Sequence, residues 1–217
     1  MLPGAEEQQK INDLAREFEA ATGAQALAAV TGKADNYPEI PWKAFALGAA
    51  FAALCVTLDE LVAPDWASIQ SPIIDTAVIL AAGALCCALA MWLPAAGRWL
   101  LSAERAGLQL RKYAENLFLR REEFRTAERC GVLIVIAAFE RRATIVMDAG
   151  VAKHFTREDT AAIIDGMTPH ALRDDFVAAF QAGFDGVRRH LKTKGVAFKA
   201  QGNELDRKST RLNSSHR

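Results

Sequence analysis

The sequence predicts an α/β (α+β) fold in which a small mixed β-sheet of about three to four strands is flanked by helices. A two-helix transmembrane hairpin interrupts this domain. Three observations predict the arrangement: charge-free apolar runs concentrated between Ala44 and Leu93, two consecutive strand-like runs near residues 131–147, and amphipathic segments on either side. A strand hairpin alone cannot bury both of its faces, so it requires helices and a further strand around it.

The first element is an amphipathic helix. Ile11, Leu14, Ala15 and Phe18 recur at the i, i+3, i+4, i+7 spacing that places apolar side chains on one helical face. The helix should end near Thr22-Gly23. The following segment, residues 25–31, is rich in alanine, which has a poor strand propensity, so the pattern alone does not predict a strand there.

Two apolar runs, residues 44–58 and 76–93, contain no charged side chain. A helix needs about 20 largely apolar residues to cross the hydrocarbon core. The second run is long enough, and Trp42 and Lys43 can extend the first because a lysine reaches from a helix end to the headgroups. The sequence therefore predicts a membrane hairpin inserted in the lipid bilayer, with a buried hairpin of a soluble protein as the alternative.

Charge predicts the orientation of this hairpin. The connecting loop, residues 59–72, contains Asp59, Glu60 and Asp65 but no lysine or arginine, whereas basic residues flank both runs on the other side. Basic flanks stay in the cytoplasm, so we expect a two-pass protein with both termini cytoplasmic and the loop outside. Trp66, Trp92 and Trp99 are at positions expected for interfacial aromatic residues.

After the hairpin, residues 98–129 predict one long charged helix. The run at 131–138, rich in β-branched residues, predicts a strand buried on both faces, and residues 139–142 connect it to a second strand at 143–147. A capping box at residues 156–159 precedes a predicted helix at 161–167, and Thr168-Pro169 is expected to open the last helix. The apolar stripe of that last helix is Leu172, Phe176, Phe180, Phe184, Val187 and Leu191.

Residues 206–217 resemble a translated sequencing adapter, and we exclude them from fold reasoning. They contain four basic side chains and one acidic side chain, so the remaining chain has a slight acidic excess. A nucleic-acid partner is not expected for such a chain. The polar amino terminus does not predict a cleavable signal. The four cysteines, Cys55, Cys86, Cys87 and Cys130, show no metal-binding spacing and are interpreted as small apolar residues.

Several segments together resemble the TPM-domain family, and in particular its bacterial membrane branch, in which two transmembrane helices split the domain. The matching segments are Phe18-Glu19-Ala20-Ala21-Thr22, Asp35-Asn36-Tyr37, Gly131-Val132-Leu133-Ile134, Glu140-Arg141-Arg142, Asp148-Ala149-Gly150-Val151 and Asn203-Glu204-Leu205. The resemblance divides the chain into an amino-terminal part of the domain (1–41), the hairpin (42–94), a carboxy-terminal part (95–205) and the adapter-like end (206–217). It also implies a bacterial cytoplasmic (inner) membrane location.

The resemblance implies that Gln25–Thr31 is the first strand and pairs with the later two across the membrane insertion. Some relatives are linked to acid phosphatase activity and to divalent metals, so Ca²⁺ or Mg²⁺ is an implied cofactor. Carried onto this sequence, these properties give Asp148 and Glu140 as candidate catalytic residues, and Asp148, Glu19 and Asp35 as candidate metal ligands. Arg141 and Arg142 could stabilise a transferring phosphoryl group. Gln25 stands where relatives often carry a glutamate.

Structural interpretations stand beside these candidates. Asp148-Ala149-Gly150 is an ordinary turn signature, in which the aspartate can accept a hydrogen bond from nearby backbone, and Glu140-Arg141-Arg142 can be a solvated turn. The sequence has no phosphate-binding glycine-rich loop. We therefore expect a non-enzymatic, membrane-anchored interaction module that associates with other membrane proteins or with further copies of itself. A weak divalent-metal-dependent phosphatase is the second hypothesis, and a transporter is the third.

Overall fold

The computed structural model describes residues 2–62, 70–120 and 130–198, with the side chains of residues 70 and 71 left out. The chain divides into two compact units. One unit combines Met1–Asp35 with Glu104–Arg217, and the other is Asn36–Ala103. The first unit is an α/β domain that the second unit interrupts in sequence.

The α/β domain begins with helix α1 (Ala5–Thr22) and strand β1 (Gln25–Thr31). The predicted helix and its end are confirmed, because Gly23 caps α1 with a left-handed backbone, φ 73°. A side chain at Gly23 would overlap the backbone carbonyl of Phe198, whose amide donates to the Thr22 carbonyl at 2.9 Å. Glycine at this position therefore permits both the helix end and the close approach of the later chain.

Strands β2 (Gly131–Ala137) and β3 (Arg142–Met147) form the predicted hairpin. β2 lies at the centre of a three-stranded sheet with β1 and β3 on either side. β1 runs parallel to β2, and β3 runs antiparallel to it. The mixed sheet is as expected, and Gln25–Thr31 is a strand as the resemblance implied. It pairs directly with β2 alone, because β2 separates it from β3.

Alternate side chains of β2 enter two different cores, which explains its continuous apolar sequence. Val132, Ile134 and Ile136 pack on one face, among residues of α1 and of the two carboxy-terminal helices. Leu133 and Val135 pack on the other face, against α5 (Ala103–Arg120). All seven residues of β2 are buried. The domain is therefore a three-layer arrangement with helices on both faces of the sheet.

The carboxy-terminal helices begin and end at different residues from those predicted. A short helix, α6 (Ala149–Ala152), follows the sheet, and α7 (Arg157–Leu172) begins at the predicted capping box. The prediction that Thr168-Pro169 opens the last helix is wrong, because α7 continues through Pro169 for another turn. Proline at this position removes the backbone donor that would bond to the Asp165 carbonyl. Beside it, the Thr168 hydroxyl donates to the Ile164 carbonyl at 2.9 Å.

The last helix is α8 (Phe176–Thr193), and the Asp175 side chain caps it by accepting a hydrogen bond from the Ala178 amide. Leu172 does not belong to its apolar stripe, since Leu172 ends the preceding helix and is half exposed. The other members of the predicted stripe are buried: Phe176, Phe180, Phe184, Val187 and Leu191.

The second unit contains a hairpin of two long helices, α2 (Glu39–Val62) and α3 (Gln70–Trp92). Both are long and apolar enough to cross a membrane, as judged by length and composition. Only 11% of the most apolar 18-residue stretch of each helix is buried, which distinguishes them from core helices of a soluble protein.

Small residues form the contact between α2 and α3. Ala44, Gly48 and Ala52 are buried at four-residue intervals along α2. A side chain at Gly48 would lie 2.7 Å from the Cys86 side chain, and one at Gly83 would lie 2.8 Å from the Phe45 ring. The helix backbones therefore approach closely, and the large apolar side chains point outwards: Leu47, Phe51, Leu54, Leu58, Ile73, Ile74, Val78, Leu80, Leu85 and Leu89.

The predicted single helix at 98–129 is wrong. A short helix, α4 (Pro94–Leu100), follows α3, and α5 begins only at Ala103. Leu93 and Leu101 both have extended backbones at the two ends of α4. Pro94 accounts for the first break, because proline disfavours a helical conformation at the residue before it. Residues 121–129 of the prediction lie outside the described residues.

Candidate functional site

The sheet has two ends, and the sequence-predicted candidates are divided between them. The carboxyl ends of β1 and β2 coincide because these strands are parallel, and β3 begins at that same end. The amino ends of β1 and β2 and the end of β3 lie about 20 Å away, since each residue of a strand adds roughly 3.3 Å. Ligands of open α/β sheets usually bind at the carboxyl ends of parallel strands.

Asp35, Glu140, Arg141 and Arg142 lie at this end, and we refer to them as the carboxyl-end cluster. Glu140 is 8% exposed, and its Oε1 accepts a hydrogen bond from the Ala34 amide at 2.9 Å. Backbone bonds of 2.9 Å, from Ala138 to Thr31 and from Phe139 to Gly32, extend the β1–β2 pairing into the turn before β3. The Glu140 carboxylate therefore holds the chain that follows β1 against the β2–β3 turn.

Arg141 connects this turn to the loop between α7 and α8. Its Nη2 donates to Asp174 Oδ2 at 2.7 Å, and both side chains are about one-third exposed. Both residues have left-handed backbones, with φ 51° at Arg141 and 59° at Asp174. Left-handed backbone is uncommon for residues other than glycine, so tertiary contacts hold both residues in position. Sequence reasoning missed Asp174, because its neighbours in the sequence give no indication of the residue it pairs with.

Residues of helix α5 also contact the carboxyl-end cluster. Gln109 Nε2 donates to Asp35 Oδ2 at 2.8 Å. The Arg142 guanidinium lies beside Gly107, where an added Cβ would be 3.6 Å from Nη1. Lys33 Nζ lies 4.4 Å from the centre of the Phe139 ring, a cation–π contact. The cluster and its neighbours are thus a mixture of cations and carboxylates, with Gln109 and Lys33 not anticipated from sequence.

The other candidates, Asp148 and Glu19, lie at the opposite end of the sheet. The Asp148 amide donates to the Gly131 carbonyl at 2.8 Å, and its Oδ1 accepts from the Ala149 amide at 2.7 Å at the start of α6. Glu19 Oε1 accepts from the Ala26 amide at 2.9 Å. Each of these two carboxylates therefore accepts a backbone hydrogen bond at this end of the sheet, Glu19 from β1 and Asp148 at the start of α6.

The donor set does not fit the implied metal. Among residues 2–62, 70–120 and 130–198, no group of three or more His, Cys, Asp or Glu side chains is arranged to hold a metal ion. Asp148 and the two arginines would have to act across the full length of β3 to share one substrate. We therefore derive no catalytic step through a divalent cation. The partly exposed members of the carboxyl-end cluster, Asp35, Arg141 and Arg142, can present guanidinium and carboxylate groups to a charged partner.

A second polar cluster connects α7 with α8 and the segment before α7. The Thr156 amide donates to Asp159 Oδ2 at 2.9 Å, and the Asp159 amide donates to the Thr156 hydroxyl at 3.1 Å. Hydrogen bonds from the backbone and then the hydroxyl of Thr156 lower the pKa of Asp159, and His190 adds a smaller effect in the same direction. His190 Nε2 lies 3.0 Å from the His154 carbonyl and 3.7 Å from Asp159. The contacts indicate a structural connection between helices.

These observations define the class of protein: an α/β domain with a three-stranded mixed sheet, divided in sequence by an apolar helical hairpin. Residues 101–190 match the sequence model of the TPM domain. Over these residues the resemblance to the TPM-domain family is therefore confirmed, and the two apolar helices fit the membrane branch of that family.

The structure is also similar to the NMR structure of BA42 protein from the psychrophilic bacterium Bizionia argentinensis sp. nov.. The TM-score is 0.52 at 12% sequence identity, and the similarity covers 94% of this chain and 92% of that chain. Similarity at this level of identity shows a shared fold. A comparison with curated proteins found no match.

Proposed function

We propose that this protein is a membrane-anchored interaction module, in which the α2–α3 hairpin attaches the TPM domain to a lipid bilayer and the domain associates with other membrane proteins. The observation that carries this proposal is the distribution of side-chain sizes in the hairpin. Small residues face the partner helix, and large apolar residues such as Phe51, 70% exposed, point outwards. Helices that associate in lipid pack in this way. Lipid tails are as apolar as the side chains, so close packing rather than the hydrophobic effect holds such helices together.

The charges at the two ends of the hairpin support one orientation. Asp59 and Glu60 lie near the end of α2, whereas Lys43 lies near its beginning and Arg98 lies in α4 after α3. Basic residues stay on the cytoplasmic side. We therefore place both parts of the TPM domain in the cytoplasm, at the inner membrane of a bacterium.

The candidate carboxylates support a binding role over a chemical one. Glu19, Glu140 and Asp148 each accept a hydrogen bond from a backbone amide, and each of these bonds stabilises a sheet end or a helix start. In the carboxyl-end cluster, Arg141 pairs with Asp174, and Asp35 and Arg142 are partly exposed at the surface. A neighbouring membrane protein or a second copy of this chain, carrying complementary charges, is the partner that we infer.

The anchor can be tested with one arginine in the hairpin and a matched arginine in the domain. Leu54 in α2 is 56% exposed, and Leu172 in α7 is 52% exposed. In water, Leu54→Arg and Leu172→Arg should be tolerated equally. In a bilayer, an arginine near the centre of a helix costs about 2.5 to 3.5 kcal/mol, so only Leu54→Arg should reduce insertion.

For each variant, the chain is ended at Leu205 and expressed in bacteria. The measurement is the fraction of this protein that remains in the membranes after they are washed at alkaline pH. The unsubstituted chain and Leu172→Arg should remain, and Leu54→Arg should be depleted. Release of the unsubstituted chain, or identical behaviour of the two variants, would contradict the anchor.

Phosphatase activity is the alternative, since the matching family model is named TPM phosphatase. The two arginines of the carboxyl-end cluster, Arg141 and Arg142, give this alternative its structural support, because guanidinium charge favours phosphoryl transfer. The purified chain would be assayed on a phosphate monoester with Ca²⁺, Mg²⁺ or chelator. Arg142→Gln and Asp148→Asn, which lie at opposite ends of the sheet, would assign any turnover to one end. No turnover above background in any condition would leave the interaction module as the better proposal.

A further inference from the structure

The basic end of the hairpin carries an unusual group of exposed side chains. We define this end by Lys43, Arg98 and three tryptophans. Trp42 is 72% exposed, Trp92 83% and Trp99 81%. A fully exposed tryptophan is unfavourable in water, and tryptophan side chains are enriched at membrane interfaces, where the ring is apolar and its N–H is polar.

The backbone brings these residues together. Leu93 has an extended conformation (φ −101°, ψ 103°), and Pro94 begins α4, so the chain leaves α3 directly after Trp92. Gly97 is the buried residue of α4, whereas Pro94, Ala95 and Trp99 are exposed. The short helix therefore turns an apolar surface outwards next to the end of α3.

The two cations lie at the end of α4. Lys43 Nζ donates to the Leu100 carbonyl at 3.2 Å, which connects the start of α2 to the last turn of α4. This contact leaves the lysine further N–H donors. Arg98 lies in the same last turn and, within the part of the chain that the structure describes, has no ion-pair partner. The opposite end of the hairpin carries Asp59 and Glu60, so the cationic charge is confined to one end.

We propose that this basic end binds the headgroups of anionic phospholipids, with α4 lying in the membrane interface. Lys43 and Arg98 contact the phosphates, and Trp42, Trp92 and Trp99 insert at the boundary between headgroups and acyl chains. Charge complementarity identifies the partner, because cations at this depth are attracted to the anionic cytoplasmic leaflet. This inference rests on the proposed membrane anchor and adds to it a class of lipid and the residues that recognise it.

The test uses tryptophan fluorescence in bilayers that mix phosphatidylcholine and phosphatidylglycerol. The full chain keeps Trp99 alone, with Trp42, Trp66 and Trp92 replaced by phenylalanine. Bromine atoms on the acyl chains of one lipid class quench the fluorescence of a tryptophan that the lipid contacts. Brominated phosphatidylglycerol should quench Trp99 more strongly than brominated phosphatidylcholine, with a preference of about fivefold for each cation.

Lys43→Gln together with Arg98→Gln should reduce this preference to about one. Arg16→Gln, which removes an exposed cation from α1, should leave it unchanged. Equal quenching by the two lipids in the chain that keeps both cations would overturn the inference, as would a preference that persists in the double variant.

A second reporter separates failure of this inference from failure of the anchor. Phe51→Trp, in a chain whose native tryptophans are all phenylalanine, places one ring in the middle of α2. Strong quenching there by bromines near the acyl-chain ends, without any headgroup preference at Trp99, would overturn the lipid inference and support the anchor. Absence of quenching at position 51 would overturn the anchor and the inference that rests on it.

Discussion

Partly buried backbone amides bond to two of the candidate carboxylates. Ala26 lies on edge strand β1, and its amide bonds to Glu19; Ala34 lies just beyond β1, and its amide bonds to Glu140. An unsatisfied buried amide costs free energy comparable to a lost hydrogen bond, so these carboxylates have a structural role whatever else they do. Removing one of these carboxylates should therefore lower the stability of the folded domain, whether or not it also affects an activity.

Glu140→Ala should lower the free energy of unfolding by about 1 to 3 kcal/mol, because the Ala34 amide loses its acceptor within a mostly buried site. Glu140→Gln should cost less, since an amide oxygen can still accept the bond. Asp165→Ala, on the exposed face of α7, is the control. Denaturant unfolding in mild detergent measures all three, and equal losses for Glu140→Ala and Asp165→Ala would contradict the assigned role.

Asp159 makes part of the stability dependent on pH. Its pKa is lowered in the folded protein by the hydrogen bonds from Thr156, so ionised Asp159 stabilises α7 fully above its unfolded pKa of about 3.9. That stabilisation should be lost as pH falls through the lowered folded pKa. The stability difference between the native sequence and Asp159→Asn should therefore be largest near neutral pH and shrink below about pH 4. A difference that stays constant from pH 7 to pH 3 would exclude this linkage.

Part of the residue-level arrangement could be predicted from sequence. A hairpin of β2 and β3 already places Glu140 in the turn and Asp148 at the far end. The positions of Glu19 and Asp35 depend on the direction of β1, which no local pattern encodes. Asp174 and Gln109 reach the carboxyl-end cluster from α8's preceding loop and from α5, so only tertiary structure shows them.

The elements differ in how strongly their own sequence specifies them. The β-branched residues of β2 predict a buried strand directly, and the periodicity of α1 predicts its buried face. β1 is alanine-rich and becomes a strand because β2 offers a complete row of backbone partners. Pro169 misled the prediction of helix ends, because packing of α7 against α8 outweighs the cost of one missing hydrogen bond.

Close packing of α2 against α3 predicts a strong effect at Gly48. Gly48→Val should separate the helices, because even its Cβ would lie 2.7 Å from Cys86 and 3.0 Å from the Ala82 carbonyl. We expect a lower midpoint of thermal unfolding in detergent. Gly166→Ala, where no atom lies within 4 Å of the added Cβ, should instead stabilise α7 by about 0.5 to 1 kcal/mol. Equal shifts for the two variants would contradict the close helix contact.

At the scale of the whole molecule, the pairing of β1 with β2 constrains the path of the chain. β1 precedes the hairpin and β2 follows it, yet the two strands are paired in register over seven residues. If the hairpin crosses a membrane, the chain must cross an even number of times between these strands. The fold itself, independently of any charge rule, then requires both parts of the α/β domain to lie on the same side of the membrane.

This constraint gives a labelling prediction. Single cysteines replacing Asp13 in α1 and Asp165 in α7, in a chain whose native cysteines are replaced by alanine, should react with a membrane-impermeant maleimide from the same side. A cysteine replacing Asp59, near the end of α2, should react only from the opposite side. The charge at the hairpin ends predicts that the side shared by positions 13 and 165 is the cytoplasmic side, so intact cells should label position 59 alone. Labelling of positions 13 and 165 from different sides would be incompatible with the β1–β2 pairing, whereas labelling of all three positions from one side would exclude a two-pass anchor and leave the sheet intact.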